Sequence, residues 1–470
     1  MKIIKGVLFL LFSCYGFYGY SQSAINMPVK NMLLNGTIFT DTQGNKVHAH
    51  GGGFLKSGGC YYWIGENRQN NNLVACYRSL DLINWEFRGN LLSRNSAPEL
   101  ESANIERPKV IYNEETKMFV MWMHYELRRD YSVARCAVAS SVNIEGPYTY
   151  LGSFRPEDNM SRDCNLFKDS DGKAYFISTT RNNLDMNVYE LTPDYLHVKS
   201  KIATLWPGAM REAPAVVKKG DYYLMMTSYC TGWKPNQGKY AYSRSMAGPW
   251  SLFHNFGSPT TFDTQPTCIL PIEGAQSTSY LYVADRWDPA EYPNSSYVFL
   301  PIIFKNDTTL EVNWVSSLSV NCIKGTFTTK INSPQYCRIK YRLSDNYLSP
   351  QPDGTIGYKG LSYKLQTLKW ILSEDKEGYV RIKNQESGKF LDAKNEEAKV
   401  VLADSLNLDS QLWKLKTNQE GWSCFINKLT RKALQMERSQ QQPEYLIQSA
   451  EIEDVNRKGK QQFLIAWEYQ

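Results

Sequence analysis

The sequence predicts an all-β protein that begins with a five-bladed β-propeller and ends with a β-trefoil. Two repeats carry this prediction. Short aromatic runs recur through the first 300 residues, and a weaker strand-turn-strand unit recurs three times after about residue 325. Each aromatic run is too short for an amphipathic helix and is bounded by Gly, Asp or Asn, a pattern typical of β-strands. We therefore expect stacked supersecondary units in both parts of the chain.

The propeller prediction depends on five aromatic runs that follow one another at intervals of 47 to 58 residues. Segments 79–87, 140–150 and 243–253 lie between these runs, and each carries a turn followed by an aromatic residue, as an outer hairpin would. One four-stranded sheet per repeat gives a propeller, whose site lies where the inner strands converge. The runs are CYYWIGE (60–66), KMFVMWMHYE (117–126), KAYFISTT (173–180), DYYLMMTS (221–228) and SYLYVADRW (279–287).

The first chemical candidate is Glu212, which lies next to an Ala-Pro pair and just ahead of an aromatic strand. A carboxyl group among apolar neighbours has a raised pKa, so it keeps its proton at neutral pH. Protonation of a glycosidic oxygen is the commonest use of such a group. The alternative for an isolated Glu-Ala-Pro segment is a solvated strand start.

Six segments add to this candidate, and their order along the chain is informative. They are VHAHGGGFLKSGGCYYWIGE (47–66), ERPKVIYNEETKMFVMW (106–122), SRDCNLFKDSDGKAYF (161–176), REAPAVVKKGDYYL (211–224), TGWKPN (231–236) and FDTQPTCILP (262–271). Together they resemble glycoside hydrolase family 43 over roughly residues 30–320, and the first and last resemble its exo-β-1,3-galactanase branch. The resemblance implies an inverting, exo-acting enzyme that releases galactose from the β-1,3-galactan of arabinogalactan and uses no cofactor.

The resemblance also implies roles for four residues. Glu212 is the general acid, and Asp163 orients it and adjusts its pKa. Most family members carry an aspartate base at the start of the first inner strand, but the segment 48–54 has no carboxylate. The branch resemblance instead brings Gln265 and Glu106 near the attacking water. Gln265 would position water, act through an imidic-acid tautomer or relay to a carboxylate, whereas Glu106 is chemically the easier base. The resemblance favours Gln265 at the water and Glu106 on a sugar hydroxyl.

Further candidates would bind the sugar. Trp233 offers a flat apolar face for a galactose ring. His48 and His50 flank a glycine-rich turn, but no third ligand stands at a recognisable spacing, so we predict no metal site. Each of the remaining candidates lies at an inner-strand end or in the following loop and has a structural role as its alternative: Glu66, Arg107, Tyr125, Asn182 and Thr231.

The trefoil prediction rests on a threefold repetition of about 43 residues. Strand-turn-strand segments are each followed by an aromatic residue near a glutamine, and this pattern resembles the ricin-B-type lectin modules that accompany sugar hydrolases. We expect Gln411 and Trp413 to lie in the trefoil core, and we take Asp392 as a surface residue that would bind sugar. The strand-turn-strand segments are 337–350, 379–393 and 422–436. The segments with the aromatic residue and the glutamine are, in the same order, 365–370, 410–415 and 461–467.

The expected domains are a signal peptide at 1–21, the propeller at 22–324 and the trefoil at 325–470. Two lysines and a short apolar stretch from Val7 to Phe12 indicate secretion to the periplasm or the medium, with cleavage near Ser21. The alternative is a lipoprotein signal that ends at Cys14 and anchors the protein through an acyl chain.

Composition excludes one class of partner. The formal charge is only +6, and no basic run with interleaved aromatic residues occurs, so we expect no nucleic-acid partner. We expect a monomer that binds a polysaccharide or oligosaccharide. Nine cysteines follow the signal, so at least one thiol is free, and a pairing of Cys322 with Cys337 stays open.

Two alternatives to the galactanase function remain at this point. One is another family 43 activity, either α-L-arabinofuranosidase or β-xylosidase. The other is a non-catalytic carbohydrate-binding propeller, since a fold alone does not establish activity. The missing first-strand aspartate supports the second alternative, and the three carboxylates Glu106, Asp163 and Glu212 argue against it.

Overall fold

The computed structural model consists of β-strands and short 3-10 turns throughout the part of the chain that it describes. The all-β prediction is therefore confirmed. The structure describes residues 29–128, 130–288, 290–332, 335–362, 365–394, 399–418, 421–437, 445–452 and 458–468. The predicted signal peptide and Cys14 lie outside these residues. Among the described residues, no helix has the length and apolar character needed to cross a bilayer.

The first part of the chain forms five four-stranded antiparallel sheets, and the strand order within each sheet follows the chain. The five aromatic runs are the second strands of these sheets, as the sequence predicts. The strands are His50–Ser57, Cys60–Glu66, Asn72–Ser79 and Glu86–Ser93; Ala103–Asn113, Met118–Leu127, Asp130–Ser141 and Thr149–Phe154; Cys164–Lys168, Ala174–Thr180, Asp185–Leu191 and Val198–Leu205; Arg211–Lys219, Tyr222–Tyr229, Lys239–Ser243 and His254–Asn255; and Gln265–Glu273, Thr278–Arg286, Ser296–Phe304 and Leu310–Val312.

The five sheets contact one another in a closed ring. The first strand of each sheet touches the first strand of the next, and the fifth sheet returns to the first. Apolar cores lie between neighbouring sheets. Trp63 of the first sheet packs against Phe299 of the fifth, with ring centroids 5.6 Å apart, and Trp122 of the second packs against Phe176 of the third at 4.7 Å. Because the first strands form the inner surface of the ring, their ends meet at a common axis.

A small three-stranded sheet closes the first part of the chain. Leu33–Leu34 pairs with Ser317–Asn321, which in turn pairs with Thr326–Lys330 as a hairpin. The domain boundary predicted between residues 324 and 325 falls inside the turn of this hairpin. Residues 326–330 therefore belong with the strands that precede them.

The last part of the chain forms a twelve-stranded antiparallel sheet system around one apolar core. Trp370 and Trp413 are fully buried in that core, and their indole N–H groups donate to the carbonyls of Leu348 and Leu391 at 3.1 and 3.2 Å. The same tryptophan geometry thus recurs in two successive repeats. The strands are Tyr336–Tyr341, Tyr347–Pro350, Ile356–Lys359, Trp370–Glu374, Val380–Asn384, Phe390–Asp392, Val401–Ala403, Trp413–Thr417, Trp422–Asn427, Ala433–Glu437, Tyr445–Ser449 and Phe463–Glu468.

Short 3-10 turns connect several strands. They are Pro98–Leu100, Pro156–Asp158, Thr261–Asp263, Tyr292–Asn294, Gln366–Leu368, Asp409–Gln411 and Lys458–Gln461. The last three end repeats of the second domain, each at or beside the glutamine that the sequence pattern singles out.

Two predictions about the second domain have different outcomes. Gln411 and Trp413 are buried, so their expected core position is confirmed. Asp392 is not a surface residue: only 1% of it is exposed, and its carboxylate accepts a hydrogen bond of 3.0 Å from Gln411 Nε2.

Cys322 and Cys337 are free thiols, so the pairing left open by the sequence does not occur.

Candidate active site

A cavity of about 240 Å³ opens at the end of the ring where the first strands begin. It collects polar side chains from all five sheets and two tryptophans. The lining residues are Glu66, Arg68, Glu106, Arg107, His124, Tyr131, Arg162, Asp163, Asn183, Glu212, Cys230, Gly232, Trp233, Gln265 and Trp287.

Four of the five first strands contain a β-bulge near their start, and in two of them the bulge directly follows a residue that lines the cavity, Glu106 or Glu212. The register shifts after His50, Glu106, Glu212 and Pro266, and Arg107 and Ala213 adopt positive φ values of 49° and 54° inside two of these bulges. A bulge bends a strand and changes the direction of its side chains, and bulges are common beside active sites. The repeated bulge therefore brings residues of different sheets to one point.

The first strand leaves no room for a side chain at one position near its start. Gly51 lies in the bulge with φ +57°, and its N–H donates to Asp285 Oδ2 at 2.8 Å. A Cβ atom at this position would lie 3.0 Å from Glu66 Oε1 and 3.1 Å from Arg107 Cγ. Two neighbouring side chains thus fill the space that a side chain at this position would need.

Glu212 is the buried acid of the cavity. Only 4% of it is exposed, and its two carboxylate oxygens accept hydrogen bonds from Gln265 Nε2 at 2.9 Å and from Asn183 Nδ2 at 3.1 Å. Burial, followed by the negative charge of Asp163, raises the pKa of Glu212 to about 8. A carboxyl group with this pKa is protonated at neutral pH and is able to donate its proton.

Arg107 joins Asp163 to Gln265. Its Nε lies 2.9 Å from Asp163 Oδ2, and its Nη2 donates to Gln265 Oε1 at 2.5 Å. A third bond, from Nη1 to the carbonyl of Pro266 at 3.0 Å, holds the guanidinium group in place. The positive charge of Arg107 keeps Asp163 paired, so the negative charge beside Glu212 has a defined position.

The amide group of Gln265 makes four hydrogen bonds. Its Oε1 accepts from Arg107 and from Trp287 Nε1, the latter at 2.8 Å, while its Nε2 donates to Glu212 and to Ser228 Oγ, the latter at 3.1 Å. These partners determine which amide atom is oxygen and which is nitrogen. Because Oε1 faces two donors, this hydrogen-bond pattern matches the amide form of Gln265, with its oxygen unprotonated.

Glu106 lies among cations and donors. Arg68 Nη2 contacts its Oε1 at 2.8 Å, His124 Nδ1 lies 3.2 Å from its Oε2, and the hydroxyl of Tyr131 also donates to it. Burial opposes ionisation, but His124 and Arg68 outweigh it and hold the pKa of Glu106 well below its usual range. Glu106 is therefore an ionised hydrogen-bond acceptor with little affinity for a proton.

His124 completes this chain of charges. It lies between Glu106 and the fully buried Glu126, whose Oε1 is 3.0 Å from His124 Nε2. Burial lowers its pKa, but the two carboxylates outweigh burial and raise the pKa of His124 to about 9. Arg68 in turn joins Glu106 to Glu66, whose Oε2 accepts from Arg68 Nε at 2.8 Å.

Within the described ranges, one group of side chains has the geometry to hold a metal ion: Glu106, His124 and Asp163, whose ligand atoms lie within 4.8 Å of one another. A metal would have to displace a proton from His124, because only the neutral ring binds a metal. His48 and His50 do not belong to this group. His50 Nδ1 lies 2.9 Å from Asp285 Oδ1, and its buried ring stacks on Tyr297.

Three of the predicted sugar-binding residues line the cavity, namely Glu66, Arg107 and Trp233. Trp233 stacks on Trp287, with ring centroids 5.4 Å apart. The prediction for Tyr125 is wrong, because its ring is buried in the core between the first two sheets and its hydroxyl donates to a backbone carbonyl outside the cavity.

Two further predictions miss by one or two positions. Residues 181–183 all have positive φ, and this turn directs Asn183 rather than Asn182 into the cavity. The hydroxyl of Thr231 donates to the carbonyl of Lys234 at 2.6 Å and so closes its own loop, while Gly232 and Trp233 line the cavity.

Sequence reasoning missed several lining residues: Arg68, His124, Tyr131, Arg162, Asn183, Cys230 and Trp287. A signal existed for His124. It lies opposite Glu106 in the register of the second sheet, and strand alternation places Glu126 on the same face and Tyr125 on the other.

Comparisons with known proteins agree with this site. A family model for glycosyl hydrolases family 43 matches residues 53–266, and a model for a ricin-type β-trefoil lectin domain-like fold matches residues 366–449. The structure of an exo-β-1,3-galactanase from Clostridium thermocellum is 40% identical, with a TM-score of 0.63 over 93% of this chain and 100% of that one. An exo-β-1,3-galactanase from Phanerochaete chrysosporium, solved with β-1,3-galactotriose, is 27% identical, with a TM-score of 0.62 over 81% and 92% of the two chains.

A relative among curated proteins is named as a xylosidase. A xylan 1,3-β-xylosidase from Vibrio is 25% identical over 170 residues, which is 33% of this chain and 31% of that protein. The chain thus matches about a third of the length of that relative.

An enclosed acid beside a second carboxylate, together with these likenesses, defines a glycoside hydrolase. The chain belongs to glycosyl hydrolases family 43 and carries a ricin-type lectin-like domain after its catalytic part.

Proposed function

We propose that this enzyme is a secreted, inverting exo-β-1,3-galactanase that removes galactose from the end of β-1,3-galactan, as in arabinogalactan. The observation that carries the proposal is Glu212, an enclosed acid with a pKa of about 8 beside the negative charge of Asp163. The amide of Gln265 is bonded directly to its carboxyl group at 2.9 Å. The 40% identity to the Clostridium galactanase supports the substrate. The small cavity supports an exo mode, because it lies below the roughly 300–1,000 Å³ of pockets for drug-sized ligands.

We infer that the five sheets are the blades of one propeller and that the ricin-type domain is a trefoil that begins after Lys330. The boundary follows from the hairpin that joins Ser317–Asn321 to Thr326–Lys330. Secretion and the monomeric state remain part of the same proposal. Sugar binding by the trefoil belongs to the same proposal and would use its surface residues, since Asp392 is buried and bonded to Gln411.

In the proposed reaction, Glu212 gives its proton to the glycosidic oxygen while water attacks the anomeric carbon from the opposite face. Asp163 keeps Glu212 protonated until that moment through its negative charge. As its oxygen bonds to the anomeric carbon, the water releases a proton, which passes through neighbouring water in the cavity to solvent because an amide has almost no affinity for a proton. Gln265 orients the carboxyl group of Glu212 and positions the attacking water. Its bond to Ser228, at 3.1 Å, is the longest of its four bonds and is the one that water would replace.

Glu106 has a different role in this proposal. An ionised carboxylate with a strongly lowered pKa accepts hydrogen bonds well but takes up a proton poorly. Glu106 therefore suits a sugar hydroxyl better than the attacking water. Trp233 provides the apolar face for the ring, and Glu66 and Arg107 are polar neighbours that bind or orient hydroxyl groups.

Product analysis on linear β-1,3-galactan tests the proposal. We expect galactose to accumulate while viscosity falls slowly, because chains shorten from one end. Glu212→Gln is the control, since it keeps shape but has no transferable proton. Rapid loss of viscosity would contradict the exo mode. Activity on aryl xylosides or arabinofuranosides, without release of galactose, would favour the specificity of the curated relatives.

A further inference from the structure

The strand that carries Gln265 begins at an unusual turn. Thr261, Phe262 and Asp263 are consecutive non-glycine residues with φ values of +52°, +57° and +59°. Residues that carry a side chain rarely adopt this left-handed region of φ. They keep such a conformation only where the surrounding structure holds them in it. Gln265 follows two residues after Asp263, so the path of this turn sets where the Gln265 amide lies.

The first domain holds the backbone of the turn, and the second domain holds the carboxylate of Asp263. The N–H groups of Thr261 and Asp263 donate to the carbonyls of Ser258 and Thr260 at 2.7 and 2.9 Å, and the hydroxyl of Thr261 donates to a carbonyl at 2.8 Å. The backbone N–H of Phe262 donates to Ser258 Oγ at 2.7 Å, and the carbonyl of Phe262 accepts from Arg286 Nη2 at 3.0 Å. The carboxylate of Asp263, which is 4% exposed, pairs with Arg338. Arg338 lies in the first strand of the second domain, Tyr336–Tyr341, and is itself only 3% exposed.

A second contact between the domains lies at the other end of the same segment. A Cβ atom on Gly421 would lie 2.8 Å from Cγ of Pro259, so the backbone of the second domain approaches this proline closely. By contrast, the ion pair between Lys234 and Asp345 also joins the two domains but is about half exposed on both sides. Exposed pairs of this kind contribute little, whereas breaking a buried pair leaves a charge without compensation.

We propose that Arg338 is a positioning residue for hydrolysis: it pairs with Asp263, holds the turn at 261–263, and thereby places Gln265 against Glu212. The proposal deepens the function given above and rests on the assigned role of Gln265. It makes the trefoil a structural part of the active site. A shift of Gln265 by about 1 Å is enough to cost roughly a hundredfold in rate when it misaligns reacting groups.

The test compares Arg338→Ala with the matched control Asp345→Asn, which removes the exposed ion pair between the same domains together with a pair to Lys340 within the second domain. We expect Arg338→Ala to lower kcat on β-1,3-galactotriose by roughly tenfold to a hundredfold, with a much smaller change in KM. Hydrogen-deuterium exchange should speed up in peptides covering residues 258–268 and stay unchanged in the other sheets. Asp345→Asn should match the wild type in both measurements.

A double variant separates positioning from general destabilisation. If Arg338 acts through Gln265, adding Arg338→Ala to Gln265→Ala should produce no further loss of kcat. The proposal would be overturned if Arg338→Ala lowered kcat by the same factor in the wild type and in Gln265→Ala. It would also be overturned if folded Arg338→Ala had the kcat and the hydrogen-deuterium exchange of the wild type. If Arg338→Ala does not fold, Arg338→Lys replaces it as the test variant because it keeps the positive charge. It should lose less kcat than expected for Arg338→Ala and should still exchange faster in residues 258–268. If the wild type releases no galactose, the proposed function fails, whereas the exchange measurement still decides whether Arg338 holds the turn.

Discussion

The charge of Asp163 can be removed with little change of shape by Asp163→Asn, and the structure predicts the effect on pH dependence. The pKa of Glu212 is about 8, against 4.5 for an ordinary glutamate, with burial as the largest cause and Asp163 as the next. Removing the negative charge also leaves Arg107, which pairs with Asp163 at 2.9 Å, without its counterion. Both changes lower the pKa of Glu212, and we expect a decrease of about one pH unit or more.

The sign of the effect follows from the form of Glu212 that reacts. The acid works only when protonated, so wild-type kcat/KM should be level below about pH 8 and should fall above it. In Asp163→Asn the fall should begin near pH 7, because the carboxyl group loses its proton earlier. At pH 5 to 6 Glu212 is protonated in both enzymes, so any remaining difference in kcat/KM measures how much Asp163 contributes to the orientation of Glu212.

The assay is a pH profile of kcat/KM on β-1,3-galactobiose, with a nitrophenyl galactoside as the second substrate. The nitrophenyl leaving group needs no proton, so the decrease of kcat/KM at alkaline pH should shrink or vanish with this second substrate. Asp171→Asn is the matched control, because Asp171 lies on an exposed turn of the same sheet, with 52% of its side chain exposed. An alkaline fall at the same pH as the wild type, or at a higher one, would refute the electrostatic role of Asp163.

Further predictions concern the other parts of the site. Glu212→Gln should lower kcat on galactan by roughly 10²–10⁴, and much less on an aryl galactoside. Gln265→Ala should be nearly inactive on both substrates, with Gln265→Glu retaining some activity; wild-type rates in Gln265→Ala, combined with an inactive Glu106→Gln, would assign water activation to Glu106. Trp233→Ala should raise KM by up to about tenfold through the loss of ring stacking, which binding calorimetry with galactose checks. Truncation after Lys330 should lower kcat on the trisaccharide, and an unchanged rate would argue against a role of the second domain in catalysis.

Repetition made much of the fold predictable. Each aromatic run, such as CYYWIGE at 60–66, became the second strand of a sheet, because a continuous apolar run bounded by turn residues is too short for a helix and fits a strand covered on both faces. The buried Trp413 followed from its place in a repeat. The sequence did not predict that strand Thr326–Lys330 pairs backward with Ser317–Asn321 across the expected domain boundary, because no pattern in it marks this partner.

Site residues that belong to a sequence motif, such as Glu212 and Asp163, were predictable. Residues whose direction depends on the local backbone conformation were less so. Asn182 and Asn183 are equivalent in sequence, and only the left-handed turn determines which of them faces the cavity. Arg68 was missed for another reason. Its partner Glu66 is only two residues away, but its partner Glu106 lies on the second sheet, so Arg68 joins these two carboxylates only after the first two sheets pack together.

Asp392 shows the limit of transferring a role by motif alone. Its position in the second repeat matched a sugar-binding pattern, yet the side chain is buried and bonded to Gln411. The contact between Arg338 and Asp263 was equally beyond the sequence, because 75 residues and a domain boundary separate the two. Both cases depend on tertiary contacts that no local pattern encodes.

The anomeric form of the first galactose released tests the central claim most directly. Proton NMR on wild-type enzyme with β-1,3-galactotriose, recorded before mutarotation proceeds, distinguishes the two anomers. Single displacement by water, with Glu212 as acid and Gln265 beside the water, predicts that α-galactose appears first. Release of β-galactose would show retention and contradict the proposed roles, and the absence of galactose would contradict the substrate.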